Sequence, residues 1–181
     1  MAGRAAVFLD RDGVLNWEAG DYITRPDDLL ILPGAAESLA RLTAVGWPVF
    51  VFTNQAGVGR GRLTEQTLTA IHDRLRAELE AGGGRIEAIY ACIHHPDAGC
   101  DCRKPRPGLL LQAAREHSLD LTRSFVVGDS PRDIAAGAEA GCHTVLVLTG
   151  HTSLYEASTF PDPQPDYIFP TLADCTALLF E

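Results

Sequence analysis

Residues 5–16 read AAVFLDRDGVLN and place two aspartates, Asp10 and Asp12, directly after an apolar run. Carboxylates this close repel each other, so a strand that ends on both needs a cation or a ligand that offsets the repulsion. An aspartate can attack phosphorus when a hard divalent cation neutralises the anions that meet. The stretch therefore predicts a buried first strand that ends at a metal and phosphoryl site.

Further apolar runs follow along the chain and alternate with helical patterns. We expect strands at Ala5–Leu9, Pro48–Phe52, Ala88–Cys92, Ser124–Gly128 and His143–Leu148, and helices near Ala35–Val45, Thr64–Ala81, Pro107–Ser118, Pro131–Ala140 and Thr171–Phe180. Near-continuous apolar strands are typical of parallel sheets that are covered on both faces. The alternation predicts an α/β fold, a doubly wound parallel sheet with right-handed crossovers.

The length of the chain limits what can be added to this sheet. The segments between the predicted strands are shorter than an inserted cap domain of about 50 residues or more. We therefore expect one domain over residues 1–181, with an open site edged by loops at the carboxyl ends of the strands. The Pro-rich stretch FPDPQPDY, residues 160–167, predicts a surface loop.

Charge and hydropathy narrow the range of partners. The chain of 181 residues has a formal net charge of −9, which disfavours nucleic acid and anionic membranes. The apolar run before Asp10 is too short for a signal peptide or a membrane span. We expect a cytoplasmic protein, a monomer, that takes a small phosphorylated substrate.

Three more motifs stand at or near strand ends. VFTNQAG brings Thr53 and Asn54, CRKPRPG brings Arg103 and Lys104, and VVGDSPRD brings Asp129. A hydroxyl, an amide and basic groups suit phosphate oxygens, Asp10 and Asp129 suit Mg²⁺, and Asp12 suits acid/base work. Each motif alone also fits an ordinary turn or a solvated face. A phospho-accepting receiver module is an alternative, although it has no use for a general acid.

The five cysteines indicate a second metal. Three of them join a histidine in CIHHPDAGCDC, as a C-x-H pair, five residues, and a C-x-C pair: Cys92, His94, Cys100 and Cys102. Such a closed set of four ligands predicts structural rather than catalytic zinc. His95 is an alternative ligand, and a reduced, metal-free loop is the alternative to zinc. A zinc loop at 92–102 would order the neighbouring Arg103 and Lys104.

The four motifs DRDGV, TN, RKP and GDSPRD together resemble those of the haloacid dehalogenase superfamily of phosphohydrolases, from about Val7 to Gly150. The resemblance implies that Asp10 is the nucleophile and Asp12 the general acid/base. Thr53 and Asn54 would contact phosphate and Lys104 would stabilise its charge. Asp10, the carbonyl of Asp12 and Asp129 would hold Mg²⁺.

With its cysteine loop before CRKP, the chain resembles the subfamily that contains heptose bisphosphate and histidinol-phosphate phosphatases. FLDRDGVLN, GDYI, TNQAGVGRGRLTE, CIHHP and CRKPRPG favour the heptose branch, and thus removal of the 7-phosphate of D-glycero-D-manno-heptose 1,7-bisphosphate in nucleotide-heptose synthesis. A histidinol-phosphate phosphatase, or another small sugar-phosphate phosphatase, is the alternative. Substrate would be bound by Arg103 with Asn54, Gln55 and Arg60, and either Arg60 or Arg106 would favour a second phosphate.

Overall fold

The computed structural model describes residues 3–18 and 20–180, whose six strands form one sheet in which all pairs are parallel. The strands are β1 (Val7–Leu9), β2 (Val49–Asn54), β3 (Ala88–Cys92), β4 (Phe125–Gly128), β5 (His143–Val147) and β6 (Tyr167–Phe169). They lie in the order β3-β2-β1-β4-β5-β6. The predicted doubly wound parallel sheet is confirmed.

Seven α-helices connect the strands in the described part of the chain: α1 (Ala35–Ala44), α2 (Ala56–Gly59), α3 (Glu65–Glu80), α4 (Gly108–His117), α5 (Pro131–Glu139), α6 (Leu154–Ala157) and α7 (Leu172–Leu179). The five longer helices match the predicted ones to within one residue at each end, whereas the short α2 and α6 were not predicted. A side-chain cap fixes the start of α3, where the Thr64 hydroxyl accepts a hydrogen bond from the backbone N–H of Thr67 at 3.0 Å. None of these helices is long and apolar enough to cross a bilayer.

Helices cover both faces of the sheet. Alternate residues of β1 point to opposite faces, so Val7 and Leu9 pack with α1, α3 and α7, while Phe8 packs with α4 and α5. This two-sided burial is why the strands are apolar without interruption. It also fixes the register that brings the strand ends to one edge.

The structure differs from the prediction at the edges of elements. β2 extends to Asn54, so Thr53 and Asn54 end the strand instead of following it. The stretch 160–167 is mostly surface loop, as predicted, but its last residue begins the edge strand β6, which the sequence analysis missed. Asp166 anchors that strand by accepting hydrogen bonds from the backbone and side chain of Thr144 at 2.7 and 3.1 Å. A three-residue strand after a Pro-rich run has too little pattern to be recognised.

The direction of winding reverses beside β1. From β1 the chain proceeds to β2 and β3 on one side of the sheet, and then crosses to β4, β5 and β6 on the other. Ligands of open α/β sheets bind in the crevice that such a reversal creates at the carboxyl ends of the strands. Asp10 and Asp129 lie there, after β1 and β4.

Candidate active site and metal centres

A cleft of about 350 Å³ opens at the carboxyl ends of the central strands. It brings together the predicted residues Asp10, Asp12, Thr53, Asn54, Gln55, Arg103, Lys104 and Asp129. These residues come from four separate segments of the chain, so the fold alone makes them neighbours. Of the residues expected around the substrate, Arg60 and Arg106 do not line this cleft; Arg60 is exposed at the end of α2.

Lys104 lies buried between two carboxylates at the floor of the cleft. Its Nζ is 2.8 Å from Asp10 Oδ2 and 2.6 Å from Asp133 Oδ1, and the residue is 3% exposed. Burial alone would lower the pKa of Lys104, but the two carboxylates outweigh it and raise the pKa, which keeps the ammonium charged. Asp10 also accepts a hydrogen bond from the backbone N–H of Arg11 at 2.7 Å.

Asp133 is a site residue to which the sequence analysis gave no role. It lies fully buried in the first turn of α5, where it accepts hydrogen bonds from the backbone N–H and the hydroxyl of Ser130 at 3.1 and 2.6 Å. This capping arrangement holds the carboxylate that orients Lys104. An aspartate three residues after Ser130 is the signal that could have identified it.

Asp10, Asp129 and Asp133 form a carboxylate cluster, with one oxygen of each within 4.8 Å of the others. Burial raises the pKa of Asp10 well above its usual value even though Lys104 opposes it, and burial with Asp133 raises that of Asp129 to about 6. Three carboxylates against one ammonium leave an excess of negative charge in a buried place. The donor set of hard oxygens therefore fits a divalent cation such as Mg²⁺.

Two glycines make room for Asp129. Gly13 has φ +79° and Gly150 lies beside it, and a Cβ on either residue would overlap the Asp129 carboxylate. The Thr149 hydroxyl donates to the carbonyl of Gly13 at 2.6 Å, which ties the two loops together. The glycine after Asp12 is thus required by close packing as well as by its backbone conformation.

Asp12 is held by a separate set of donors. Arg11, 1% exposed, donates from Nε and Nη2 to Asp12 Oδ1 at 3.2 and 2.9 Å. Asn16 and Gln55 each add a hydrogen bond of 2.9 Å. Burial raises the pKa of Asp12, but Arg11 and these hydrogen bonds outweigh it, so the net shift is downward and the carboxylate is ionised.

Polar residues at and just after the end of β2 hold other groups of the cleft in place. Gln55 donates from Nε2 to both Asp12 Oδ2 and Thr53 Oγ1 at 2.9 Å. Asn54 bonds the backbone of Lys104 twice: its Oδ1 accepts from the N–H at 3.1 Å and its Nδ2 donates to the carbonyl at 3.2 Å. Asn54 and Gln55 therefore fix the positions of Lys104 and Asp12 as well as lining the cleft.

Arginines line the side of the cleft next to α5. Nη1 of Arg103 is buried without a hydrogen-bond partner among the described residues, so it can donate to an acceptor on a ligand. Arg132, which the sequence analysis did not select, is exposed on the same rim. Arg106 instead donates to the carbonyls of Gly99 and Cys100 and to Asp101, so it serves the neighbouring loop.

Glu18 and His151 also line the cleft, and the sequence analysis did not select them. His151 Nε2 lies 2.6 Å from a carboxylate oxygen of Glu18, and its backbone N–H donates to Asp129 at 2.6 Å. His151 follows β5, so its position after a parallel strand was the available signal.

Cys92, His94, Cys100 and Cys102 form a cysteine cluster beside the cleft. The three Sγ atoms lie 3.2–3.6 Å apart, and His94 Nδ1 is 3.1 Å from Cys102 Sγ and 3.7 Å from Cys92 Sγ. The S···S edge of a tetrahedral zinc site is about 3.8 Å, so these atoms could hold zinc after small shifts. Without a cation, burial and the neighbouring thiols raise the pKa of Cys102 to about 12. His95 instead pairs with Asp97, which favours His94 as the ligand.

Comparison with known proteins agrees with this arrangement. Residues 101–175 match a family described as HAD-hydrolase-like. D-glycero-beta-D-manno-heptose-1,7-bisphosphate 7-phosphatase of Bordetella bronchiseptica is 46% identical over 80% of this chain and 81% of its own. The protein of that name from Pseudomonas aeruginosa is 40% identical over 98% and 99%. The crystal structure of D,D-heptose 1,7-bisphosphate phosphatase from B. bronchiseptica, complexed with magnesium and phosphate, superposes with a TM-score of 0.88, 39% identity and 96% coverage of both chains.

Fold and site together define a hydrolase of the haloacid dehalogenase type, as the four motifs predicted. Its reaction class is that of a phosphoric monoester hydrolase. The chain belongs to the family of D-glycero-D-manno-heptose-1,7-bisphosphate 7-phosphatases.

Proposed function

We propose that this protein removes the 7-phosphate from D-glycero-D-manno-heptose 1,7-bisphosphate, with Mg²⁺, as a step in nucleotide-heptose synthesis. The observation that carries the proposal is Asp10, held 2.8 Å from Lys104 and near Asp129. The same cleft is lined by Arg132 and by Arg103, whose Nη1 has no hydrogen-bond partner among the described residues. The names of its relatives supply the substrate. We further propose a single domain over residues 1–181 that acts as a cytoplasmic monomer without nucleic-acid or membrane partners.

Asp10 is proposed as the nucleophile. Its carboxylate attacks the phosphorus, the bond from phosphorus to the sugar oxygen breaks, and the phosphoryl group remains on Asp10. Lys104 offsets charge on the nucleophile and on the transferred group, and Thr53 and backbone N–H groups hold phosphate oxygens. Mg²⁺, bound by Asp10, Asp129 and the carbonyl of Asp12, would supply charge neutralisation for the phosphoryl oxygens.

Asp12 is proposed as the acid and base of the two half-reactions. As an acid it gives a proton to the leaving sugar oxygen, and as a base it takes one from the water that hydrolyses phospho-Asp10. The ionised state that Arg11 favours is the one required for the second half-reaction. The first half-reaction requires a proton on Asp12 while Arg11 still holds the group in place.

Arg103 and Arg132 are proposed to bind the phosphate that is not removed. Arg103 has a buried Nη1 without a partner among the described residues, and Arg132 presents an exposed guanidinium to the same cleft. Phosphate is an acceptor that suits guanidinium groups. Asn54 and Gln55 assist by holding the backbone of Lys104 and the side chain of Asp12. The role of Arg60 stays a prediction, since its side chain lies outside the cleft lining.

The cysteine cluster is proposed as a structural zinc site. It lies immediately before Arg103 and Lys104, so ordering this loop orders two site residues. Four protein ligands leave no position open for water, and the cluster takes no part in the chemistry.

Phosphate release with Mg²⁺ tests this function. The panel is heptose 1,7-bisphosphate in both anomers, the corresponding 7-monophosphate, histidinol phosphate and simple sugar monophosphates. We expect kcat/KM for one heptose bisphosphate anomer to exceed the others by about a hundredfold, or about 2.7 kcal/mol of transition-state binding. A preference for histidinol phosphate would refute the substrate and leave the mechanism in place.

A further inference from the structure

We infer that His72 is a positioning residue for the acid/base carboxylate Asp12, acting through the buried guanidinium of Arg11. The inference rests on the proposed role of Asp12. It concerns a side chain 60 residues further along the chain, on α3, which none of the four phosphatase motifs includes.

The contact between His72 and Arg11 completes the coordination of a buried cation. His72 Nε2 lies 3.2 Å from Arg11 Nη1. The remaining arms of the guanidinium, Nε and Nη2, are already engaged with Asp12. Arg11 is 1% exposed, so water cannot replace the histidine easily. Each arm of the guanidinium thus has a protein acceptor, and its plane is fixed from two sides.

The direction of the hydrogen bond follows from the chemistry of the pair. A guanidinium carries donors and no acceptor, so Nε2 of His72 must accept and the imidazole must be neutral at that nitrogen. The surroundings agree, because burial and the charge of Arg11 lower the pKa of His72 to about 4. A protonated or donating side chain at this position would repel Arg11.

The place of His72 on α3 explains how the helix presents the imidazole to Arg11. Leu68, Ile71 and Leu75 are buried against the sheet, and His72 lies next to this stripe, four residues after Leu68 and three before Leu75. The helix is therefore anchored by its neighbours, and His72 is a polar group at the margin of an apolar stripe. A partly buried polar side chain at such a margin needs a hydrogen-bond partner in the protein, and for His72 that partner is Arg11.

Loss of the acceptor would loosen Asp12 without removing it. Arg11 Nη1 would become a buried donor without a partner, and the guanidinium would tilt to recover a hydrogen bond. Asn16 and Gln55 would still hold Asp12, so a partial loss of its alignment is expected. Small errors in the placement of an acid/base group are costly to the rate, while ground-state binding is little affected.

Leaving groups of different basicity separate this role from a merely structural one. A sugar oxygen needs a proton from Asp12 as it leaves, whereas p-nitrophenolate leaves without one. For the Mg²⁺- and zinc-loaded protein we expect His72→Leu to lower kcat/KM for the sugar phosphate by about tenfold, with KM changed less than about threefold. With p-nitrophenyl phosphate we expect less than about a twofold change. His72→Gln, whose carbonyl oxygen reaches the position of Nε2, should restore most of the activity.

Three further variants make the test decisive. His117→Leu removes another half-buried imidazole, which lies at the end of α4 and packs on Phe50, and should leave turnover of both substrates unaffected. His72→Met removes the acceptor with a more adaptable side chain if leucine prevents folding. Asp12→Asn sets the benchmark and should show the same dependence on the leaving group, only larger.

Equal losses of kcat/KM on both substrates for His72→Leu, or no rescue by His72→Gln, would overturn the inference. In that case the proposed mechanism would still stand if Asp12→Asn lost more activity on the sugar phosphate than on p-nitrophenyl phosphate. If Asp12→Asn itself showed no such dependence, the role of Asp12 would fail and the inference with it.

Discussion

The carboxylate cluster and the cysteine cluster are both sets of donor atoms that could hold a cation, but they are held in different ways. Asp10, Asp129 and Asp133 are at most 8% exposed and stand at or near strand ends, against Lys104 and the Ser130 cap. Of the cysteine cluster, only Cys92 is on a strand, and its partners are on a partly exposed loop. The first cluster would offer a cation few hard ligands and leave space for substrate, whereas the second would offer four ligands and close around the metal.

This contrast matches the two proposed roles, catalysis for the carboxylate cluster and structural support for the cysteine cluster. A rigid, buried group of charges can act on a substrate because its geometry is set before the substrate arrives. A loop ordered by a metal would instead transmit that order to its neighbours, which for the proposed zinc site are Arg103 and Lys104. Changes in the two clusters should therefore differ in kind as well as in size.

The largest effect is expected for Asp10→Asn. The amide cannot attack phosphorus, so turnover should fall by a factor on the order of 10⁵, as for removal of other nucleophiles. Phosphate release with the Mg²⁺-loaded protein measures it, and zinc content and melting temperature should be unchanged. Asp73→Asn, the same change at an exposed site on α3, should be fully active. Activity retained in Asp10→Asn would remove the distinction between the clusters.

Cys102→Ser should give the converse pattern. Loss of one of four ligands should release zinc and lower the melting temperature by roughly 5–15 °C, with a smaller loss of turnover through the loosened Lys104. Metal analysis and thermal unfolding measure both. Cys142→Ala alters a buried cysteine outside the cluster and should keep its zinc. An unchanged metal content in Cys102→Ser would refute the ligand set.

Measuring the free energy of unfolding at several pH values tests whether His72 is neutral beside Arg11 in the folded protein. Burial and Arg11 lower the pKa of folded His72 to about 4, below the 6.5 of an ordinary histidine. The unfolded chain therefore binds a proton first as the pH falls, and stability drops between pH 6.5 and about 4, by up to about 3 kcal/mol. Urea unfolding at several pH values should show a shallower drop in His72→Gln. Identical slopes in the two proteins would mean that His72 is not held neutral.

The smallest effect is expected at the arginines that line the cleft, Arg103 and Arg132. Arg132→Gln should raise KM for the heptose bisphosphate by about tenfold, because one charge-assisted contact to phosphate is lost. The 7-monophosphate should be affected less than about twofold. Arg115→Gln, at an exposed position of α4, is the matched control. An equal rise in KM for both substrates would place the second phosphate elsewhere.

The sequence predicts the sheet and the residues at its carboxyl edge because both depend on local pattern. Apolar runs predicted five of the six strands, and Asp10, Thr53 and Asp129 followed from where those runs end, whereas Lys104 came from the CRKPRPG motif. The exception, β6, is three residues long and lies at an edge, where pairing depends on one neighbour and on Asp166.

Side-chain direction is what local pattern does not predict. Arg60 and Arg106 were expected to favour a second phosphate, but Arg60 is exposed outside the cleft lining and Arg106 donates hydrogen bonds to the cysteine loop. The contact from His72 to Arg11 joins distant segments through two long side chains. Such contacts depend on the packing of α3 against the sheet, which only the folded structure provides.

The most direct measurement is to locate the phosphoryl group during turnover. The Mg²⁺-loaded protein is mixed with heptose bisphosphate, quenched rapidly with acid and digested, and the peptides are analysed by mass spectrometry. We predict a phosphoryl group on Asp10 that disappears within one turnover when the quench is delayed. Phosphorylation of another residue, or a phospho-Asp10 that persists without releasing phosphate, would contradict the account.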